Sequence, residues 1–266
     1  MKRISILVVA FLLNVSFSFA YYNERRFEGL DPAWEECEDA ESRMKKIVSK
    51  YIPSDPIVYE VGAKDGEDTV KLAKIWPQGK IISFEANPNQ FMKYLEKAQN
   101  YPNMYGYNLA VNTYNGTAKF YLCWGSNGDD PIFEGASSLL EASEAQKIHY
   151  RGPEIAVPCV IFDDWCRDNQ VDKIDFMWLD IEGFEMQFFE SSPSILNTVK
   201  VIQTETNFFD FRKGTTQFGR LKPFLEKQGF ELVAHWYNEG LQGDAIFVRK
   251  ELIKINKCGY EGPRSG

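Results

Sequence analysis

The chain has 266 residues, 44% apolar and 15% aromatic, which excludes a disordered or low-complexity polymer and suffices for one large domain or two small ones. Lys and Arg number 30 against 38 Asp and Glu, a formal net charge of −8. With no basic run to track phosphates, that balance excludes a nucleic-acid groove and a surface built for anionic lipid.

Residues 1–20 read as a secretory signal. Lys2 and Arg3 form a basic start, residues 4–15 are apolar apart from Ser5 and Asn14, and Ser18 and Ala20 place small side chains before a cut after Ala20. The run is short for a bilayer span, so cleavage and export are expected rather than an uncleaved anchor, with no stable membrane span afterwards. Residues 21–56 form a helical extension. Asp31 and Pro32 supply an N-cap and a first helical residue, the helix runs to about Tyr51, and Pro53 and Pro56 end it.

Strands and helices then alternate. The sequence predicts strands over 57–61, 80–84 and 105–111, with helices over 69–76 and from Asn87-Pro88 onward, where Phe91, Met92 and Leu95 fall at helical spacing. Asn115-Gly116 is a turn signal before a strand over 117–124; it also begins an N-x-T acceptor pattern, but the hairpin-turn reading is preferred. Residues 125–154 form an irregular excursion with one short helix near 139–148, and a strand returns over 155–162. Further strands follow over 174–179, 199–206, 231–237 and 244–249, with helices over 184–190 and 217–228, the latter containing Pro223. The last two strands share a short connection and must be antiparallel; the rest alternate as a parallel sheet does. The residues after 250 form a polar tail.

The five cysteines, Cys37, Cys123, Cys159, Cys166 and Cys258, lack zinc-site spacing. Buried free thiols are expected, with a Cys123–Cys159 pair as the alternative. Of the two histidines, His235 lies in a closing strand and reads as structural; His149, in the excursion, is the weaker acid–base candidate.

The turn from Glu60 to Gly66 has G-x-x-x-G spacing, unlike the G-x-G-x-x-G of a dinucleotide fingerprint. Asp65, Glu67 and Asp68 crowd the helix start, where they suit the helix dipole but repel a pyrophosphate. They favour a cationic, phosphate-free nucleoside. Glu85, at the tip of the adjacent strand, is placed to accept from both ribose hydroxyls.

The stretches VYEVGAKDGEDT (58–69), IISFEANP (81–88), NGTAKFYL (115–122), EGASSL (134–139), IDFMWLDIEGFE (174–185) and GDAIFV (243–248) resemble class I S-adenosylmethionine-dependent methyltransferases, and among them the FkbM family. The resemblance implies a Rossmann-like α/β fold over 57–250: a mainly parallel seven-stranded sheet with one antiparallel strand near the C-terminus, helices on both faces and a β-hairpin insertion over about 112–162. It implies methyl transfer from S-adenosylmethionine to a hydroxyl of a small-molecule, sugar or lipid-linked acceptor. Glu60, Gly62 and Gly66, with Ala63, Asp65 and Thr69 of the same turn, would line the amino-acid half of the cofactor. Glu85, followed by Asn87, would hold the ribose, and Asn108 and Ala110 would sit near adenine. Ser137 and Ser138 would meet the acceptor.

Asp180 would face the methyl group. In continued strand geometry Asp180 and Glu182 share a face and are candidates for base or substrate positioning. Alternatively, Asp180 holds the cofactor amine or orders the loop and Glu182 caps the next helix. Glu205 could join them in a three-acid cation site; a divalent cation stays an option and no metal ligand is assigned. An exported chain is remote from a cytosolic cofactor, so the alternative function is a non-catalytic secreted binding protein on a methyltransferase scaffold. A nicotinamide oxidoreductase is disfavoured by the loop spacing and its acids. The sequence assigns no oligomeric state.

Overall fold

The computed structural model describes residues 39–125, 131–238 and 242–253. The signal segment, the proposed cap at Asp31 and the tail from 254 lie outside the described residues. Asp39, in extended conformation, accepts from Ser42 N and starts α1 (Ala40–Ile47), which tightens into a 3-10 turn at Val48–Lys50. One unbroken helix from Asp31 to Tyr51 is therefore corrected: a cap interrupts it at Asp39. No helix among the described residues is long and apolar enough to cross a membrane.

In chain order there follow β1 (Ile57–Val61), α2 (Glu67–Ile75), β2 (Lys80–Phe84), α3 (Pro88–Ala98), β3 (Met104–Tyr107), β4 (Ala110–Val111), β5 (Gly116–Tyr121), β6 (Glu154–Val160), α4 (Phe162–Asp168) and β7 (Ile174–Leu179). Then come α5 (Glu185–Ser191), α6 (Pro193–Leu196), β8 (Val199–Asn207), α7 (Phe218–Lys227), β9 (Phe230–Asn238) and β10 (Gln242–Arg249). The main sheet has seven strands in the order β3-β2-β1-β7-β8-β10-β9. Only β10 runs against its neighbours, antiparallel to both β8 and β9, as the short β9–β10 connection requires. Crossover helices cover both faces. Met177, Phe188, Phe189 and Leu221 belong to one apolar layer, and Trp76, Phe176, Trp178 and Trp236 to the other.

Three local readings change. The strand over 105–111 breaks at Asn108, whose side-chain Nδ2 donates to the carbonyls of Glu85 (2.7 Å) and Ala86 (3.3 Å), while Leu109 N donates back to Tyr107 O at 3.0 Å. The turn sends β4 into a second, three-stranded sheet, β4-β6-β5, in which β5 and β6 are antiparallel. The helix near 139–148 is replaced by turns, because this backbone bonds the loop after β8: Ser143 N donates to Phe211 O (3.0 Å) and Lys213 N to Glu141 O (2.8 Å). Finally, α4 and α6 were not anticipated; Pro193 starts a short helix rather than only ending one. Cys123, Cys159 and Cys166 are buried free thiols.

Candidate functional site

The C-terminal ends of β1, β2 and β7 meet along one sheet edge, the usual place for a ligand crevice in an open α/β sheet. Asp180 N donates to Val61 O at 3.0 Å, drawing the end of β7 against the glycine loop. Gly62 has φ +95°, and a Cβ there would lie 1.8 Å from Asp180 O. Glycine is required at this position by a close approach of protein backbone. Gly62 N and Ala63 N both donate to Phe84 O, at 2.9 and 3.0 Å. Glu85 then receives Lys64 N at 2.7 Å on one oxygen and Asn87 N at 2.6 Å on the other.

These elements wall an open crevice with both polar and apolar lining, as small-molecule sites have. Gly62, Lys64, Glu85, Ala110, Glu134, Ser137 and Asp180 line it, with Leu109, Val111, Phe120, Leu139, Ile181 and Phe184 as its apolar wall. Five of the predicted site residues thus meet here: Gly62, Glu85, Ala110, Ser137 and Asp180.

The others stand behind the lining. Glu60 is buried and accepts from Thr69 Oγ1 (2.5 Å) and Ser83 Oγ (2.9 Å); burial pushes its carboxyl up to about 7 although those two bonds pull it down. Ala63 is buried in the core beneath the loop. Gly66 is needed for packing, since a Cβ there would come within 2.8 Å of the Tyr94 ring. Asn87 caps α3, Asn108 holds the β3–β4 turn, and Ser138 Oγ donates to Glu182 O at 3.1 Å. Ser137 Oγ is spent on Cys123 N and Glu134 O.

The acids at the start of α2 do not form the crevice lining. Asp65 pairs with Lys97 at 2.7 Å, Asp68 with Lys71 at 2.6 Å, and Glu67 is exposed. The negative lining comes instead from Glu85, Glu134 and Asp180, with Lys64 as the cation among the described lining residues. Neither Lys64 nor Glu134 was assigned a role: a lysine in a turn carries no positional signal until the chain folds over itself, and Glu134 stood only within the EGASSL stretch.

A second feature adjoins the crevice. One carboxylate oxygen from each of Asp180, Glu182 and Glu205 lies within 4.8 Å of the others. Strand geometry does not bring them together, since β7 ends at Leu179 and the chain turns through left-handed Glu182 (φ 56°) and Gly183 (φ 97°). Glu182 does not cap α5, whose cap position is Phe184. It faces Arg212, with Nη2 at 3.7 Å from its carboxylate. Arg212 is buried, lies over the Tyr150 ring at 4.4 Å and donates to the carbonyls of Ala136 and Leu140, so it ties the excursion to this turn.

Desolvation is the first cause that raises Asp180 to about 6 and Glu182 to about 7, and it lifts Glu205 well above the carboxylate range. The histidines are elsewhere: His235 is buried, stacked on Phe218 with centroids 4.1 Å apart, and held near pKa 4 by burial; His149 does not line the crevice.

The sheet order, the single antiparallel strand and the crevice at the β1–β2–β7 edge are those of a Rossmann-like methyltransferase. The family model described as the methyltransferase FkbM domain matches residues 60–232, and the chain belongs to that family. It is 26% identical over 212 residues to the 2-O-methyltransferase NoeI of Sinorhizobium fredii, a match covering 78% of this chain and 85% of the relative. Among solved structures, methyltransferase FkbM from Methylobacillus flagellatus aligns with TM-score 0.49 and 9% identity over 81% of this chain and 58% of that one. Fibrillarin from Methanococcus jannaschii aligns with TM-score 0.48 and 14% identity over 86% and 84%.

Proposed function

We propose that the chain is an S-adenosylmethionine-dependent O-methyltransferase acting on a hydroxyl of a small-molecule, sugar or lipid-linked acceptor. The observation that carries this reading is the crevice lining, in which three carboxylates accompany one lysine beside a long apolar wall. Such a lining suits a cationic nucleoside without phosphate. The 2-O position in the relative's name supports oxygen as the acceptor atom.

The residues present fit that cofactor. Glu85 keeps free acceptor capacity for ribose hydroxyls after taking two backbone donors. The Lys64 ammonium suits the amino-acid carboxylate, and Leu109, Val111, Phe120 and Leu139 offer an apolar slot for the purine. S-adenosylmethionine supplies an electrophilic methyl on a good leaving assembly, so alignment contributes most of the acceleration. Asp180, open to the crevice, accepts the acceptor hydroxyl's proton on its carboxylate.

Calorimetry of the full chain with S-adenosylmethionine, its demethylated product and NAD tests the reading: the first two bind and NAD does not. Failure of both methionine-derived ligands to bind ends it. Asp180→Asn lowers methyl transfer by about 10²–10⁴-fold while donor affinity stays within about threefold; equal transfer by the variant removes Asp180 from the base role. Export through residues 1–20 belongs to the same reading, and N-terminal sequencing of the chain outside the cytosol, beginning at Tyr21, checks it.

A further inference from the structure

The acid cluster at the ends of β7 and β8 exceeds what the fold needs. Alternation along β8 puts Gln203, Glu205 and Asn207 on one face, and β10 sets Asp244 directly opposite Glu205. The Asp180, Glu182 and Glu205 oxygens, all within 4.8 Å, have the separation of donors around one ion: oxygens across an ion are roughly 4.2 Å apart for magnesium and roughly 5 Å for calcium.

A separate observation comes from α5. Glu185 is fully buried; its Oε1 accepts from Gly183 N at 3.2 Å, while Oε2 has no partner. Burial first, and then the charges of Asp180 and Glu182, raise its carboxyl, and it raises Glu205 in turn. A buried carboxylate oxygen without a donor is costly unless a countercharge stands nearby. Charge points the same way: the carboxyls of Asp180, Glu182, Glu185, Glu205 and Asp244, with Asp68 beyond them, outnumber the cations Lys64, Arg212 and Arg43 that face them.

We propose that Asp180, Glu182 and Glu205 bind a hard divalent cation of the magnesium, manganese or calcium class, with Glu185 as the buried charge behind it. Oxygen-only donors select such ions over thiophilic ones. The role follows from, and rests on, the methyltransferase reading. An ion held by three protein oxygens would have positions left for an acceptor hydroxyl, whose proton it would make easier to lose.

The test titrates Mn2+ alone into the full chain without methyl donor, followed by electron paramagnetic resonance and calorimetry. One saturable site per chain is expected, weakened at least tenfold by Asp180→Asn and by Glu205→Gln. Glu141→Gln, which alters an exposed acid paired with Lys213, leaves it unchanged. Circular dichroism verifies folding, and if one variant unfolds the other decides. No saturable binding up to millimolar Mn2+, or unchanged affinity in the folded variants, overturns the proposal. Methyl transfer lost in EDTA and restored by Mn2+ supports it. Full transfer in EDTA without Mn2+ binding refutes the cation site and leaves the methyltransferase standing, whereas Mn2+ binding without donor binding has the opposite effect.

Discussion

Glu85 and Glu205 are both carboxyls at strand tips, and both are 8% exposed, yet the fold holds them in different ways. Glu85 is gripped by two backbone N–H groups at 2.7 and 2.6 Å, donors that the β1 and β2 turns present whether or not a ligand is bound. Glu205 receives only side-chain amides, from Asn207 at 3.3 Å and from Gln242, and is surrounded by Glu182, Asp180, Glu185 and Asp244. The first carboxyl is part of the scaffold. The second is a charge the scaffold leaves unbalanced, and such groups are where a ligand or ion can contribute most.

Four changes break or sharpen this contrast. The largest effect belongs to Gly62→Ala, which drives a methyl into Asp180 O. It destabilises the chain by more than about 4 kcal/mol or prevents soluble expression; an unaltered denaturation midpoint would mean β1 and β7 do not approach as described.

Next come paired substitutions of opposite sign. Glu85→Ala strands two backbone donors and costs about 3 kcal/mol. Glu205→Gln replaces a buried carboxyl crowded by Glu182, Asp180, Glu185 and Asp244 and raises the melting temperature at pH 8 in the absence of divalent ions. Loss of stability in both variants erases the distinction.

The pH dependence is third. Burial raises Glu60, Glu85 and Asp244 to about 7 and Glu185 to about 8, all above their ordinary values. The folded state therefore holds protons that the unfolded state has released. This contribution is fully present below the unfolded values, near 4.5 for the glutamates and 3.8 for Asp244, and is lost as pH rises through about 7 to 8. Between pH 6.5 and 8.5 melting temperature falls by on the order of 5 °C, net of a smaller opposing gain as His235 in the unfolded state loses its remaining protons above its ordinary value of 6.5. Mn2+ reduces the fall if the cluster binds it; a rise with pH contradicts the sign. Smallest is Ser138→Ala, which removes the bond to Glu182 O at 3.1 Å. It costs about 1 kcal/mol and raises acceptor KM more than it lowers kcat, as steady-state kinetics would show.

Much of the fold was legible. The strand over 57–61, the helix from Asn87-Pro88 and the closing antiparallel pair follow from apolar runs, caps and turn length, which are local properties. The break at Asn108 was not legible, because it depends on carbonyls of Glu85 and Ala86 contributed by another strand. The turns at 139–148 have a helix-compatible pattern, overridden by bonds to Phe211 and Lys213 far along the chain. Gly62, Glu85 and Asp180, singled out for their places at strand ends and, for Asp180, by the family resemblance, all line the crevice. The acids Asp65, Glu67 and Asp68 misled, because sequence position does not say that Lys97 and Lys71 pair with two of them and that none of the three lines the crevice.

What the sequence determined by itself was the alternation of elements, the glycine turn and the carboxylates at the tips of successive strands, since periodicity and backbone sterics act over a few residues. Tertiary structure decided which acids share a space, which are neutralised by lysines and which stay buried without a partner. Charge acts through distance in three dimensions, and only the assembled sheet edge brings residues 180, 182 and 205 within reach of one ion.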